Sequence, residues 1–361
     1  MTNKNNNYCV IMAGGFGTRF WPMSKDSNPK QFLDVMGNGM SMLQSTFRRF
    51  ERICPRQNII IVTGEIYVDK VRAQIPGLLP YQVLSEPTRR NTAPCVAYAA
   101  AIISEMNPDA NIVVSPSDHA IIGEDRFVQD VERAIAIAEN NDWIVTIGVR
   151  PTGPNVKYGY IQYSDTPLLP QVDALHKVVT FTEKPPIEMA RQFVASDEFL
   201  WNSGLFIWNV EVLKNAYRQC LPVMAEAFFS ITSATSVDEL DSIYSVSESI
   251  SVDIGIMEKV SNAYVLEAHF GWSDVETWES LYAASDKDRF GNAVVSGTVF
   301  AYDTVNTIVH VPKGFSVVLQ GLDGYVVTAN DNVLMVCRRD QEEQVVKFAS
   351  DFELHELSKN I

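Results

Sequence analysis

The chain has 361 residues, of which 46% are hydrophobic and 20% charged, and it carries a formal net charge of -15 at pH 7. This length suits a sizeable core and more than one domain, and the apolar runs are too short to span a bilayer. The acidic balance disfavours nucleic acid as a partner, because binding to a phosphate backbone needs a basic surface. We therefore expect neither a membrane nor nucleic acid as a partner.

Apolar runs alternate with helical patterns through the first half of the chain. Strands are predicted at residues 8–12, 59–63, 81–84, 111–115 and 143–148. Helices are predicted between them at residues 45–53, 67–75, 94–106 and 127–140. This alternation predicts a Rossmann-like α/β domain with a mostly parallel sheet. Ligands of such sheets bind at the carboxyl ends of the strands.

The first predicted strand runs directly into the glycine-rich segment A-G-G-F-G-T-R, residues 13–19. Its glycines let backbone N–H groups approach an anion, and Arg19 adds donors suited to phosphate oxygens. A second cation, Lys30, follows a proline in the segment N-P-K-Q-F. The spacing fits neither a P-loop nor a dinucleotide fingerprint. The alternative is an ordinary strand-to-loop turn, but the two cations favour a polyphosphate site.

Two further segments follow predicted strands. In S-E-P-T-R-R-N-T-A-P, residues 85–94, Asn91 or Thr92 can cap the next helix, but capping does not explain the charged Glu86 and its neighbouring arginines. Asp118 follows the strand predicted at 111–115. It is a candidate ligand for Mg²⁺, which prefers carboxylate oxygens, or else the cap of the following helix.

These motifs resemble a known family. The pattern A-G-G-x-G-T-R-x-W-P-x-S followed by P-K-Q-F resembles the signature of nucleotide-diphospho-sugar pyrophosphorylases, most closely their mannose-1-phosphate guanylyltransferase branch. The resemblance implies a nucleotidyltransferase that moves GMP from GTP to α-D-mannose 1-phosphate, releases pyrophosphate and uses Mg²⁺ or Mn²⁺. Another sugar 1-phosphate, or a non-catalytic regulator that binds sugar nucleotides, remains an alternative.

The resemblance also assigns residues to roles. The implied catalytic residues are Arg19, Lys30, Asp118 and Asp274, of which Asp118 and Asp274 would bind the metal. The implied nucleotide-binding residues are Ala13, Gly14, Gly15, Gly17, Thr18, Arg19, Glu86, Pro87, Arg90, Asn91, Thr92, Ser117 and Asp118. The implied sugar-phosphate-binding residues are Tyr158, Gly159, Glu183, Lys184, Asn202, Gly204 and Asp253.

Several of these residues have simpler interpretations. Tyr158 and its neighbour Tyr160 could be packing aromatics, and Glu183 with Lys184 a surface pair. The segment 202–204 could be a β-bulge. His119 is expected to be structural or to support neighbouring ligand-binding residues, because a sugar phosphate is already ionised and needs no general base. Glu276, two residues beyond Asp274, could adjust the metal affinity or simply face solvent, and we expect it to face solvent.

The last part of the chain has a different pattern. Short valine-rich runs predict strands at residues 294–295, 298–302, 307–311, 316–319, 325–328 and 333–337, followed by a helix at 341–347. We therefore predict a catalytic domain over residues 1–285 and a small β-rich domain over 286–361, whose exposed edges could pair two subunits in a homodimer. We also expect a monofunctional chain, without the isomerase domain of some longer relatives.

Cysteine usage indicates the compartment. The five cysteines are scattered along the chain, with no C-x-x-C pair. An odd number of cysteines without metal-ligand spacing predicts reduced thiols and a cytoplasmic protein.

Overall fold

A computed structural model describes residues 4–15, 17–164 and 174–359, and the chain divides into two compact units. Unit 1 comprises Met1–Gly14, Thr46–Ser117 and Ile121–Trp272. Unit 2 comprises Gly15–Ser45, Asp118–Ala120 and Ser273–Ile361. The domain boundary predicted between residues 285 and 286 falls inside unit 2 and stays a prediction.

The strands and helices that precede residue 285 include every element predicted in the first half, with bounds that differ by a few residues. The strands are β1 (Asn7–Met12), β2 (Ile59–Gly64), β3 (Val83–Glu86), β4 (Asn111–Pro116), β5 (Ala120–Ile122), β6 (Ile144–Val149), β7 (Tyr160–Tyr163), β8 (Leu175–Thr182), β9 (Phe199–Asn209), β10 (Ala263–Glu267) and β11 (Gly271–Ser273). The helices are α1 (Met42–Phe50), α2 (Val68–Gln74), α3 (Thr92–Met106), α4 (Glu124–Glu139), α5 (Ile187–Ser196), α6 (Val210–Cys220), α7 (Pro222–Phe228), α8 (Val237–Val246) and α9 (Trp278–Ala284).

Unit 1 contains a nine-stranded sheet with the order β3-β2-β1-β4-β9-β6-β10-β8-β7. Strands β3, β2, β1 and β4 are parallel, so their carboxyl ends lie at one edge. Strand β9 runs antiparallel to β4, β6 and β7, and β8 runs antiparallel to β7 and β10. The prediction of a mostly parallel sheet is therefore correct for the first four strands, and the sheet as a whole is mixed, because β8 and β9 run against the other strands. Strand β8 follows β7 with no helix between them in the described residues, and an antiparallel pair needs no crossover helix.

The core of unit 1 supports the edge formed by the carboxyl ends of the parallel strands. The central strands β1, β2 and β4 are buried along nearly their whole length, as expected for parallel strands covered on both faces. Helix α3 buries an alanine-rich set of side chains in the same core. The segments that follow β1, β3 and β4 therefore start from strands that pack in the buried core.

The end of the chain confirms the predicted β-rich region. Its elements are β12 (Ala293–Ser296), β13 (Thr298–Tyr302), β14 (Ile308–His310), β15 (Ser316–Gln320), β16 (Tyr325–Asn330), β17 (Val333–Arg338) and α10 (Val345–Lys359). Alternate strands pair in parallel, β14 with β12 and β16, and β13 with β15. Helix α10 is longer than predicted. The side chains of Phe20 and Trp21 join the core of this unit, where Phe20 packs edge-on against Trp278 at 5.0 Å between ring centroids.

Two bulk predictions can be compared with the structure. All five cysteines carry free thiols, as predicted. In the described ranges, none of the helices combines the length and the hydropathy that a membrane span requires.

Candidate active site

The glycine-rich segment leaves the sheet at a fixed point. The Ala13 amide donates to Val62 O at 2.8 Å, and Thr63 Oγ1 donates to Ala13 O at 2.9 Å. A β-carbon added at the next residue, Gly14, would lie 3.6 Å from the Glu86 Oε2 atom. The end of β1 and the end of β3 therefore come together in unit 1, as the predicted parallel arrangement requires.

Ser117 lies at the same edge of unit 1. It is buried, and its amide donates to the carbonyl oxygen of Met12 at 3.1 Å. Its own carbonyl oxygen accepts from Thr46 Oγ1 at 3.1 Å. The segments that follow β1 and β4 therefore begin at one edge of the sheet.

Unit 2 contains a cavity of about 450 Å³, within the size range of small-molecule sites. We call it the unit 2 cavity. The described residues that line it are Gly17, Thr18, Arg19, Phe20, Asp26, Lys30, Gln31, Asp118, Glu276 and Val346. Gln31 also donates from its side-chain amide to Gly15 O at 2.9 Å, which helps to hold the glycine turn. Both predicted phosphate-binding cations, Arg19 and Lys30, therefore line the cavity.

Lys30 is buried and contacts both predicted metal ligands, Asp118 through its carboxylate and Asp274 through its backbone. Its ammonium lies 2.8 Å from Asp118 Oδ2, and it donates to the carbonyl oxygens of Asp274 at 2.7 Å and Val275 at 3.2 Å. Burial raises the pKa of Asp118, but the charges of Lys30 and His119 outweigh it and hold that pKa below its usual value. Asp118 is therefore ionised at neutral pH, and the effect of His119 is consistent with the expected supporting role.

Arg19 has an acidic partner inside the cavity. Its guanidinium forms an ion pair with the Glu276 carboxylate. The side chains are partly exposed, 49% for Arg19 and 36% for Glu276. The expectation that Glu276 simply faces solvent is wrong, because Arg19 attracts the carboxylate into the lining of the cavity.

The residues present suit a hard divalent cation. Among the described residues there is no group of three or more acidic, histidine or cysteine side chains placed to hold a metal. Mg²⁺ is commonly held by one or two carboxylates together with substrate phosphates and water. The Asp118 carboxylate lines the cavity and fits that smaller requirement. Asp274 contacts the Lys30 ammonium through its backbone carbonyl oxygen, and metal binding by its carboxylate stays a prediction.

Glu86 is a buried carboxyl group at the end of β3 in unit 1. Burial raises its pKa to about 7, although a hydrogen bond from Tyr244 and the charge of Arg89 act in the opposite direction. The Tyr244 hydroxyl donates to Glu86 Oε1 at 3.2 Å. Tyr244 was not predicted, because it is far away in the sequence and belongs to no motif. The group is poised between its neutral and ionised forms at neutral pH.

The residues that follow β3 contact the start of α3 and the end of α8. Asn91 caps α3 by accepting from the Thr92 amide at 2.9 Å, which confirms the capping interpretation. The Thr92 hydroxyl accepts from the Val252 amide at 2.9 Å. Arg90 donates to the carbonyl oxygens of Tyr244 and Ser245, at the end of α8. These contacts are structural, and the nucleotide contacts of Arg90, Asn91, Thr92 and the half-buried Pro87 stay predictions.

Asn91 also has an unusual backbone. Its φ of 68° and ψ of -166° lie in a region that is almost restricted to glycine. Such strain costs on the order of 1–3 kcal/mol and tends to be kept at ligand sites. The position of Asn91, directly after the Glu86 segment, is consistent with such a site.

Four predicted sugar-site residues come together in unit 1. A β-carbon at Gly159 would lie 2.5 Å from Glu183 Oε2 and 3.3 Å from Asn202 Cβ, so any larger residue there would displace the Glu183 carboxylate. The Asn202 side-chain amide donates to Asp253 Oδ1 at 2.6 Å, and its backbone amide donates to Gly159 O at 2.8 Å. We call Gly159, Glu183, Asn202 and Asp253 the Asp253 cluster.

Asp253 is a buried acid whose pKa is raised. Burial and then the nearby charge of Glu183 raise its pKa to about 6, whereas Asn202 and Lys184 lower it. The residue opens a single π-helical turn, Asp253–Met257, of a type often found at functional sites. Lys184 is exposed and pairs with Glu183 at 3.1 Å, which is the surface-pair interpretation.

The remaining sugar-site predictions have mixed outcomes. Tyr158 is buried and packs edge-on against Trp201 and Trp272, and Tyr160 is fully buried, so both serve as packing aromatics. The pairing of β6 with β9 shifts register around Gly204, which has a φ of 71°. The bulge interpretation is therefore confirmed, and it brings the Gly204 amide within 3.0 Å of Asn202 Oδ1.

Comparison with known proteins identifies the family. A family model described as nucleotidyl transferase matches residues 8–290. A mannose-1-phosphate guanylyltransferase from Escherichia coli is 32% identical over 358 residues, which cover 96% of this chain and 75% of that protein. The xanthan biosynthesis protein XanB from Xanthomonas campestris pv. campestris is 35% identical over 347 residues, which cover 94% of this chain and 72% of XanB.

A solved structure supports the same conclusion. It is named mannose-1-phosphate geranyltransferase, from Thermus thermophilus, and it aligns with a TM-score of 0.87 and 27% identity. The alignment covers 96% of this chain and 99% of that one, and it confirms the predicted nucleotidyltransferase α/β fold. With its glycine turn, its paired cations and these relatives, the chain belongs to the nucleotidyl transferase family.

Proposed function

We propose that this enzyme transfers GMP from GTP to α-D-mannose 1-phosphate and releases pyrophosphate. The observation that carries the proposal is the unit 2 cavity, where Arg19, Lys30 and Asp118 meet beside the glycine turn. Cations that converge next to backbone amides suit a polyphosphate. The names of the relatives in Escherichia coli and other bacteria support mannose and guanine as the specific partners.

The proposed chemistry needs positioning and charge neutralisation more than proton transfer. An ionised oxygen of the sugar phosphate attacks the α-phosphorus in line, the bond to the bridging oxygen breaks, and pyrophosphate leaves with its electron pair. Arg19 neutralises the charge that accumulates on the leaving group, and Lys30 bridges the two reacting phosphates. The amides that cradle the leaving phosphates belong to Gly14, Gly15, Gly17 and Thr18.

The base and the sugar are assigned to unit 1 groups. Glu86, when ionised, accepts hydrogen bonds from the adjacent N–H donors of guanine. Glu183, Asn202 and Asp253 accept from or donate to the hydroxyl groups of mannose, and their contacts with one another support this assignment. Lys184 is exposed, and its long side chain contacts the sugar phosphate in this proposal.

Asp118 and Asp274 are the proposed ligands of Mg²⁺ or Mn²⁺. When bound, the ion would offset the negative charge of the phosphates. Lys30 neutralises Asp118 when no ion is bound, so the same carboxylate has a partner in both states.

A change of base or sugar is the main alternative within the family. A non-catalytic regulator is disfavoured, because the cations Arg19 and Lys30 and the carboxylates Asp118 and Asp274 are all present. The test is pyrophosphate release, with and without divalent metal, from GTP, UTP and ATP combined with mannose, glucose and other sugar 1-phosphates. The proposal predicts the highest kcat/KM for GTP with mannose 1-phosphate. Preference for another pair would replace the substrates, and no release from any pair would contradict catalysis itself.

A further inference from the structure

Carboxylates outnumber cations in the unit 2 cavity. Among its described lining residues, Arg19 and Lys30 face Asp26, Asp118 and Glu276. Lys30 is paired with Asp118 at 2.8 Å, and Arg19 is paired with Glu276. A polyphosphate that enters the cavity therefore meets negative charge at the same positions where it should be attracted.

The two ion pairs are not equally firm. The Lys30 side chain is only 11% exposed and is also held by two backbone carbonyl oxygens. The Arg19 and Glu276 side chains are 49% and 36% exposed, so water and salt screen their attraction. An ion pair this exposed contributes little stability and yields to a stronger partner. A multiply charged phosphate is such a partner.

We infer that Glu276 is a positioning residue that competes with phosphate groups for Arg19. Before phosphate binds, Glu276 holds the guanidinium, an entering phosphate displaces it, and Glu276 recaptures Arg19 as pyrophosphate leaves. Glu276 thereby lowers the affinity for the leaving group and speeds its release. The inference rests on the proposed function, since it assumes that Arg19 contacts the leaving phosphates.

One contact that holds the Glu276 backbone does not involve its side chain. Its amide donates to Asp274 Oδ1 at 3.2 Å, and that bond survives substitution of the side chain. Glu279 offers a matched control, because its carboxylate pairs with Arg339 at 2.6 Å and does not line the cavity. Glu279→Gln removes the same charge from the same unit without touching Arg19.

The experiment measures the equilibrium affinity of inorganic pyrophosphate by calorimetry, at fixed ionic strength, with thermal unfolding as a check of folding. Glu276→Gln should bind pyrophosphate about tenfold more tightly than the wild type, because both a competitor and a repulsive charge are removed. Glu276→Asp keeps the charge but shortens the reach to Arg19, so it should bind several-fold more tightly than the wild type. Glu279→Gln should match the wild type.

The background variant Arg19→Ala separates pairing from simple charge. In that background the Glu276→Gln change should lose most of its effect. Equal affinities for wild type and Glu276→Gln would overturn the inference, as would an equal gain in Glu279→Gln. If those affinities are equal while the wild type still releases pyrophosphate from GTP and mannose 1-phosphate, only this inference fails. If no variant binds pyrophosphate, the proposed phosphate site fails with it.

Discussion

The pKa of Asp118 in the unit 2 cavity and the pKa of Asp253 in the Asp253 cluster of unit 1 are shifted in opposite directions. In the cavity, cations outweigh burial and lower the pKa of Asp118. In the cluster, burial and the charge of Glu183 raise the pKa of Asp253 to about 6. The first arrangement is built from charges paired with charges. In the second, the buried Asp253 carboxyl group lies against the side-chain amide of Asn202, and the ion pair of Glu183 with Lys184 lies at the surface.

This difference indicates two kinds of ligand chemistry in one chain. Paired charges can exchange partners with a multiply charged ligand at modest cost, as a triphosphate requires. A weakly acidic, buried carboxyl group such as that of Asp253 suits neutral hydroxyl groups, because it recognises geometry without needing a counter-charge.

Loss of the Arg19 charge should have the largest effect. Arg19→Ala is expected to lower kcat by about a hundredfold or more, because the charge on the leaving group is no longer neutralised. The protein should stay folded, since the Arg19 side chain is half-exposed. Arg338→Ala is the control, since it removes an exposed arginine that pairs with Asp340 in the same unit. Steady-state pyrophosphate release measures both. Near-normal turnover in Arg19→Ala would remove Arg19 from the mechanism.

Gly159→Ala should damage the Asp253 cluster without changing any charge. The new β-carbon would collide with Glu183 Oε2, so the carboxylate must move. We expect KM for the sugar phosphate to rise about tenfold with a smaller change in kcat, as for a lost binding contact. Gly153→Ala is the matched control, because nothing lies within 4 Å of its added β-carbon. Equal KM values for the two variants would contradict a sugar role for the cluster.

Glu86 should make guanine-nucleotide affinity depend on pH. Its pKa is about 7, so the ionised fraction rises about tenfold between pH 6 and pH 8, and GTP affinity should rise with it. The folded carboxyl binds its proton more tightly than the unfolded one, whose value is near 4.5. The free energy of unfolding should therefore fall as pH rises from 4.5 to 7.

Glu86→Gln serves as the reference for both effects. It should bind GTP more weakly and lack the part of the pH dependence that belongs to the carboxyl group. Calorimetric titrations and urea unfolding at several pH values measure the two differences. Parallel pH profiles for the wild type and Glu86→Gln would contradict the assignment of Glu86 to the base.

Asn91 should give the smallest effect, on stability. Asn91→Ala loses the helix cap and keeps the strained φ of 68°, at a cost of about 1–2 kcal/mol. Asn91→Gly should recover most of that loss, since glycine adopts this φ freely. Asn209 caps α6 with an ordinary φ of -72°, so Asn209→Ala and Asn209→Gly are the control variants. Urea unfolding that gave the same alanine-to-glycine difference at both sites would show that Asn91 is not strained.

Local patterns in the sequence were enough to predict part of the fold and of the site. The strands β1, β2 and β4 were found because each is a continuous apolar run, and the cations Arg19 and Lys30 because each lies in a short motif. Pairing between distant segments was not predicted. The antiparallel insertion of β9 depends on contacts across many residues, and so do the ion pair of Arg19 with Glu276 and the hydrogen bond of Tyr244 to Glu86.

A crystal structure of the protein with GTP and Mg²⁺ tests the central claim most directly. The account predicts the β- and γ-phosphates within hydrogen-bonding distance of Arg19 and of the amides of Gly17 and Thr18, with the Glu276 carboxylate turned away. A triphosphate bound elsewhere, with Arg19 still paired to Glu276, would contradict it.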